Sequence, residues 1–315
     1  MRKRAQRKSI PVTKTPSVKK IRTEKKPTHV KKNWWIALSL VGIFFLVLFL
    51  NAYFNLTSEV SINQGGTGLN KFYLSGPDPY YNMRLVETTV ETGKYPFYSD
   101  NDPLLNYPLG ESGGRPPLLN MLALGFSRFF VPFMSETDAI GYSMQFLPAL
   151  FGALLIFPVY YLGKTLFGRK EGLVAAFLVP LIAIHIGSGH GSAYSLFDHD
   201  SLNLLLFFIS FLFLIKGVKE KDAWKSVLYA LLAGVSLAAL SLTWVEAQFL
   251  YVVIALYAVI QMLVDIFTDK IEPRVFRTAF ITLLAGYLLT LPVRQAKFGL
   301  QPDLILFMCS SISSW

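Results

Sequence analysis

Long apolar runs are the feature that most constrains how this chain folds. The run from Trp34 to Tyr53 contains no charged residue. A membrane core about 30 Å thick is crossed by roughly 20 apolar helical residues. Only 16% of the 315 residues are charged, against about 25% in ordinary soluble domains. The sequence therefore predicts an all-α polytopic membrane protein.

The apolar segments predict seven spans, at 33–54, 139–162, 173–188, 202–216, 227–242, 247–267 and 279–293. A long polar stretch, 55–115, forms the predicted first outer loop. Residues 116–134 are apolar, but Arg128 interrupts them and prolines flank them. We expect this segment to pack on the membrane or to dip into it without crossing.

The N-terminal tail, residues 1–32, has a composition unlike the rest. It carries thirteen Lys and Arg and one acid, Glu24, and few large apolar residues. Such a segment cannot bury a core, so we expect it to be disordered. A nucleic-acid-binding arm is the weaker interpretation. The composition favours a cytoplasmic tail that contacts anionic membrane lipids, with no nucleic-acid partner.

The charges of the loops predict the orientation. The loops 163–172, 217–225 and 268–277 contain several Lys and Arg, whereas 187–201 and 241–246 contain acids and neither basic residue. Basic loops stay on the cytoplasmic side. We therefore expect a multi-pass protein of the cell membrane with its N-terminus in the cytoplasm. Asp78, Asp198 and Asp200 would then lie on the outer face.

The first acidic motif, residues 76–87, has the pattern of a helix start. Asp78 is a good N-cap, Pro79 suits the first helical position, and Gly93 is able to end the helix. The Asp78 carboxylate has two possible roles: it caps the helix, or it faces a cation. Arg84 would pair with Glu87 one turn later or face a lipid phosphate.

The second acidic motif is Asp198-His199-Asp200, at the end of a Gly- and Ser-rich loop before a span. In an extended backbone, residues two apart point to the same side, so both carboxylates would converge if the helix began after them. Carboxylate oxygens are ligands that Mg²⁺ and Mn²⁺ prefer. Alternatively, Asp200 caps the following helix. His199 is a cation ligand, a phosphate donor or a passive loop residue.

Together these motifs are more specific than either alone. The sequence around Asp78 reads Asp-Pro-Tyr-Tyr-Asn-Met-Arg, and Arg115-Pro116-Pro117 and Leu242-Thr243-Trp244 follow in later loops. The chain resembles the catalytic subunit of the oligosaccharyltransferases, particularly the archaeal single-subunit enzymes. The resemblance implies a GT-C-type transmembrane domain over residues 33–293. Lone Cys309 allows no intrachain disulfide.

The resemblance also implies an activity. Family members transfer a glycan from a lipid-linked (dolichyl) phosphate or pyrophosphate donor to Asn in Asn-x-Ser/Thr of an acceptor polypeptide. By this resemblance, Asp78, Asp198 and Asp200 are the catalytic acids and ligands of Mn²⁺ or Mg²⁺. Arg84 and His199 would contact the donor phosphate.

Two family features have no counterpart in the 315 residues. They are a Glu in a later outer loop and a C-terminal globular domain that holds the acceptor. Residues 294–315 resemble neither a span nor a domain. We therefore expect an incomplete form that binds a lipid-linked donor without glycosylating a peptide.

Three alternative functions stay open from the sequence. Another GT-C transferase would share the first acidic loop without needing Asp-His-Asp. A transporter would carry ionisable residues within its spans, and these spans have few. A non-catalytic membrane fragment is the third.

Overall fold

A computed structural model of the chain describes residues 34–57, 74–96, 99–182, 191–269 and 272–298. The predicted tail 1–32 lies outside these residues, as do part of the first outer loop and residues 299–315. By internal packing the chain divides into Met1–Trp34 and Trp35–Trp315. The architecture below is that of the second unit.

The described residues are mainly helical, with one short ribbon of two strands. In chain order the helices and strands are α1 (Trp34–Thr57), α2 (Pro77–Thr92), β1 (Ser99–Asp102), β2 (Glu111–Gly113), α3 (Leu118–Ser127), α4 (Glu136–Leu154), α5 (Ile156–Leu166), α6 (Arg169–Leu178), α7 (Asp200–Lys219), α8 (Ala223–Ser241), α9 (Gln248–Phe267) and α10 (Pro273–Phe298). The antiparallel strands pair Ser99 with Gly113 and Asp102 with Glu111. Two single 3₁₀ turns, Val179–Leu181 and Val245–Ala247, follow α6 and precede α9.

Six helical segments of the described residues are long and apolar enough to cross a membrane. They are Trp34–Tyr53, Glu136–Leu166, Asp200–Lys219, Ala223–Ser241, Val245–Phe267 and Pro273–Val293. Each overlaps a predicted span, so a polytopic membrane protein is confirmed. The Glu136–Leu166 segment contains both α4 and α5, which are separated at Leu155.

The third predicted span, 173–188, is described only in part. Its described part consists of the end of the ten-residue α6 and one 3₁₀ turn, and residues 183–190 lie outside the described ranges. The positions of its flanks are nevertheless clear. Lys219 Nζ donates to the carbonyl of Thr165 at 2.8 Å, so α5 and α7 end together. Since α7 begins at the other end of the bundle, Thr165 and Asp200 lie at opposite ends of it.

Helix α3 is the described part of the apolar segment 116–134. At 1.5 Å per residue, ten residues extend about 15 Å, half of a bilayer core. Leu119 and Ala123 bury one face of α3 in a cluster shared with α2, α4 and α7. Its start is fixed because the Leu118 amide donates to the carbonyl of Leu242 at 2.9 Å. The segment thus packs against the bundle without spanning it, as the sequence predicted.

Helices α7, α8 and α10 pack closely in the second half of the bundle. A Cβ at Gly234 of α8 would lie 2.7 Å from Cβ of Ala285 and 2.8 Å from the carbonyl of Thr282 on α10. Small residues allow membrane helices to approach this closely. Buried Leu237, Leu240 and Ile254 fill the centre, whereas many apolar side chains of these helices face outward, as a lipid-facing surface requires.

Candidate active site

Helix α2 presents the first acidic motif at one end of the bundle. It begins after Gly76, whose positive φ of 100° suits glycine, and ends at Gly93, with φ 69°. The prediction that Asp78 caps this helix was wrong. The N-cap residue is Gly76 and no side chain caps the first turn, so the Asp78 carboxylate is turned elsewhere. It forms an ion pair with Arg115.

The second acidic motif lies beside the first. Helix α7 begins at Asp200, and His199 before it already has helical dihedral angles. The condition under which both carboxylates would converge, a helix that begins only after Asp200, is therefore not met. The imidazole instead lies between the two acids: Nδ1 is 2.6 Å from Asp198 Oδ1, and Nε2 is 3.7 Å from Asp200 Oδ1.

Arg115 joins the two motifs. Its Nη2 contacts Asp78 Oδ1, and its Nη1 lies 3.7 Å from Asp198 Oδ1. The guanidinium also lies over the ring of Tyr81, with Cζ 5.6 Å from the ring centroid. Two carboxylates from distant parts of the sequence thus share one cationic group. Sequence reasoning noted Arg115 as part of a motif but assigned it no role.

A buried amide network fixes the two motifs relative to each other. Asn82, one turn after Asp78, donates to the carbonyl of Phe197, the residue before Asp198, at 3.2 Å. The neighbouring Asn120 Nδ2 lies 3.4 Å from Asn82 Oδ1 and 2.9 Å from the Tyr95 hydroxyl. Both asparagines are 1% exposed or less. These buried hydrogen bonds restrict the movement of the two motifs relative to each other.

The acids line or adjoin an open cleft of about 480 Å³. Its walls include Asp78, Tyr81, Arg115, His199, Thr243 and Trp244. The Trp244 indole stacks on the His199 ring, with centroids 6.4 Å apart and planes 24° apart. Trp244, which the sequence singled out as part of the motif Leu242-Thr243-Trp244, thus forms a wall of the cleft.

Asp198 and His199 form a coupled pair outside the spans. Burial by itself would raise the pKa of Asp198, but the hydrogen bonds and charge of His199 outweigh it and lower that pKa. Burial would likewise lower the pKa of His199, yet Asp198 and Asp200 raise it above its usual value. The pair is therefore stabilised as a carboxylate and an imidazolium.

Two other predicted residues, Arg84 and Asp200, do not line the cleft. Arg84, the predicted phosphate contact, forms an ion pair with Asp102 at the end of β1 and lies over the Tyr81 ring at 5.0 Å. The expected pair of Arg84 with Glu87 is not formed. Asp200 occupies the first turn of α7 and contacts the cleft through His199.

The donor set is compatible with a divalent cation. Asp78 and Asp198 supply carboxylate oxygens, which hard divalent cations prefer, and both already contact one shared cationic group. Within the described ranges, no cluster of three or more His, Cys, Asp or Glu is arranged to hold a metal. The candidate ligands are therefore two carboxylates, Asp78 and Asp198, on either side of the Arg115 guanidinium. Asp200 lies beyond them, next to the imidazole of His199.

Known proteins are similar to this chain in sequence and in fold. AglB of Haloferax volcanii, a dolichyl-monophosphooligosaccharide–protein glycotransferase, is 26% identical over 286 residues, which is 84% of this chain and 26% of the relative. The solved structure of AglB from Archaeoglobus fulgidus with an inhibitory peptide and a dolichol-phosphate superposes with a TM-score of 0.66 at 21% identity. That alignment covers 83% of this chain and 29% of that chain.

A second Archaeoglobus fulgidus oligosaccharyltransferase structure, a complex with Zn and sulfate, gives a TM-score of 0.64 at 20% identity. It covers 81% of this chain and 31% of that chain. These likenesses confirm the GT-C-like helical fold, and the chain spans about a quarter to a third of each relative's length. Residues 67–308 match the family described as "Oligosaccharyl transferase STT3, N-terminal". The chain therefore belongs to the STT3 oligosaccharyltransferase family.

Proposed function

We propose that this chain forms the donor-binding, membrane-embedded part of an oligosaccharyltransferase. The reaction is transfer of a glycan from a lipid-linked phosphate or pyrophosphate to the amide nitrogen of Asn in Asn-x-Ser/Thr. The observation that carries the proposal is the meeting of Asp78 and Asp198 at Arg115 beside the cleft. The sequence predicts both acids as site residues.

Asp78 and Asp198 are the proposed ligands of the cation, with Asp200 next to them through His199. The solved relative with Zn and sulfate supports divalent binding in this family, and the all-oxygen donors favour Mn²⁺ or Mg²⁺ here. A divalent cation held by these carboxylates would supply positive charge that neutralises the leaving phosphate.

The chain's own groups hold the reactants. Tyr81 and Trp244 form apolar walls of the cleft, which exclude water from the reacting atoms. The relative bound to an inhibitory peptide and a dolichol-phosphate supports a lipid donor and a peptide acceptor as partners. The Asp78 carboxylate, 43% exposed, is accessible for an acceptor amide.

We propose that the carboxylate end of the bundle faces outward and that the N-terminus is cytoplasmic. The support is the separation of charge. The basic loops, which include Lys164 and Lys219, lie at one end, while Asp78 and Asp198 lie at the other. Basic residues are retained on the cytoplasmic side of a membrane.

Direct measurement of Mn²⁺ binding tests this function. The purified chain in detergent is titrated with Mn²⁺, and free Mn²⁺ is quantified by electron paramagnetic resonance. Asp78→Asn and Asp198→Asn should each weaken binding by at least about 100-fold, because one carboxylate ligand is lost. Glu246→Gln is the matched control, since this exposed acid lies at the same end but outside the cleft lining.

Dolichyl phosphate binding is then compared with and without Mn²⁺. Retention that depends on Mn²⁺ and on both acids supports the proposal. Equal Mn²⁺ affinity in the unmodified chain and both Asn variants would refute the metal site, and donor binding independent of the cation would refute its role.

A further inference from the structure

The role of Arg115 goes beyond the ligand set. Arg84 is engaged by Asp102, whereas the guanidinium of Arg115 lines the cleft itself. Its side chain is 26% exposed, and its two terminal nitrogens face Asp78 and Asp198. We propose that Arg115 is the phosphate-binding group of the cleft and that it competes with the divalent cation for Asp78 and Asp198. This inference rests on the proposed function.

The competition follows from shared atoms. Arg115 contacts Oδ1 of Asp78 and faces Oδ1 of Asp198, and these are the oxygens that a cation between the two motifs would use. A guanidinium and a dication cannot occupy one gap between two carboxylates without strong repulsion. Cation binding therefore requires the guanidinium to withdraw from at least one carboxylate.

The withdrawn side chain remains in the cleft because its backbone is fixed. The Tyr95 hydroxyl donates to the Arg115 carbonyl at 3.2 Å, and the Gly114 amide donates to the Tyr81 hydroxyl at 2.5 Å. The Tyr81 ring provides a face for the guanidinium. A guanidinium released from carboxylates binds phosphate through paired hydrogen bonds.

The net charge of the cluster determines the order in which the cation and the phosphate bind. The acids Asp78, Asp198 and Asp200 and the cleft-lining Glu111 outnumber the guanidinium of Arg115. This cluster repels a phosphate. A bound dication offsets two of the negative charges and so weakens that repulsion. The cleft should therefore bind the cation first and the lipid phosphate second.

Two measurements of opposite sign test the inference. In Arg115→Gln, Mn²⁺ should bind about tenfold more tightly or better, because a competing charge is gone. In the same variant, retention of dolichyl phosphate at saturating Mn²⁺ should fall by at least about tenfold, because a charge-assisted contact is lost. Arg115→Lys keeps the charge, so its Mn²⁺ affinity should remain near that of the unmodified chain.

Arg128→Gln is the matched control. This arginine pairs with Glu136 at 2.7 Å in an exposed position, and its loss should change neither measurement. A role of Arg115 that is only structural would weaken both ligands in Arg115→Gln, which overturns the proposal, as does no change in either. Loss of phosphate binding in Arg84→Gln in place of Arg115→Gln also overturns it.

The proposed function fails in a different way. If Asp78→Asn and Asp198→Asn leave Mn²⁺ affinity unchanged, the metal site itself is wrong. If those variants lose Mn²⁺ while Arg115→Gln gains none, the metal site stands and the competition is wrong. Size-exclusion profiles of every variant in the same detergent verify folding. If Arg115→Gln aggregates, Arg115→Met, which also lacks the charge, carries the same two expectations.

Discussion

The two ends of this helical bundle differ in how their charged side chains are paired. At the carboxylate end, Asp78 and Asp198 share Arg115 beside a cleft. At the other end, which we call the lysine end, the ammonium groups of Lys164, Lys216 and Lys219 have no carboxylate within 4.0 Å among the described residues. Lys216 Nζ instead lies 5.5 to 5.9 Å from three aromatic rings.

The contrast separates two origins of charged residues in membrane proteins. Charges at the lysine end follow the loops that carry them, and their positions satisfy a rule of membrane insertion. Charges at the carboxylate end are brought together by long-range packing of α2, α7 and the segment before α3. Only the second arrangement creates a site, so only there should single substitutions affect ligand binding.

The largest expected effect is the accessibility of the two ends. In a Cys309→Ser background, Asn106→Cys should react with a membrane-impermeant maleimide from outside intact cells, and Lys170→Cys and Lys221→Cys should not. All three positions are exposed. Permeabilised cells provide the control in which all three react. Labelling of Lys170→Cys in intact cells would invert the proposed orientation.

The next effect concerns the rigidity of the carboxylate end. Asn82→Leu removes the hydrogen bond to Phe197 and leaves a buried carbonyl without that donor. The free energy of unfolding should fall by about 2 kcal/mol. Melting temperature in detergent and Mn²⁺ affinity should both fall, because Asp78 and Asp198 are no longer held together. Met83→Leu, a buried apolar neighbour, should preserve both. Unchanged Mn²⁺ affinity in Asn82→Leu would mean that the amide network does not position the acids.

Sequence reasoning succeeded where structure is local. The span 202–216 lies within α7, and 247–267 nearly coincides with Val245–Phe267, because apolar length decides which helices cross a membrane. The end of α2 at Gly93 was also predicted, since a left-handed glycine is a local requirement.

Prediction failed where tertiary contacts decide the outcome. The local pattern favoured Asp78 as a cap, but an ion pair with Arg115 prevails over that role. An extended backbone at His199 was one alternative from the sequence, but His199 has helical dihedral angles and its imidazole contacts Asp198 and Asp200. The amide of Asn82 gave no signal, because its partner Phe197 lies 115 residues away.

A smaller effect comes from protonation at the carboxylate end. The pKa of His199 is raised above 6.5, so its stabilisation is complete below pH 6.5 and is lost as pH rises through the folded pKa. The pKa of Asp198 is lowered below 3.8, so its stabilisation is complete above about pH 3.8 and is lost in stronger acid. The pair should stabilise the fold fully between these limits.

The measurement is melting temperature against pH in detergent with EDTA. Near pH 5 to 6 the unmodified chain should melt at a higher temperature than His199→Gln, which corresponds to a difference in the free energy of unfolding on the order of 1 kcal/mol. This difference should shrink above neutral pH. Gln keeps polar character, so the pH dependence isolates the charge. A constant difference from pH 5 to pH 9 would show that the pair contributes no linked protonation.

The smallest effect belongs to the lysine end. Lys216 contacts rings of Tyr161, Phe213 and Tyr229, which belong to α5, α7 and α8. Cation–π contacts contribute about 0.5 to 2 kcal/mol to the free energy of unfolding. In Lys216→Gln the three aromatic rings still pack together, so we expect a loss of stability near the lower limit. Lys225→Gln, exposed and without an aromatic contact among the described residues, is the control.

The decisive feature of Lys216→Gln is what it leaves unchanged. Its small loss of melting temperature should be accompanied by Mn²⁺ and dolichyl phosphate binding equal to those of the unmodified chain, because α7 separates Lys216 from Asp200 by most of its length, about 24 Å at 1.5 Å per residue. A variant that loses ligand binding without aggregating would show that the two ends are coupled through α7. The distinction between topological and site-forming charge would then not hold for this bundle.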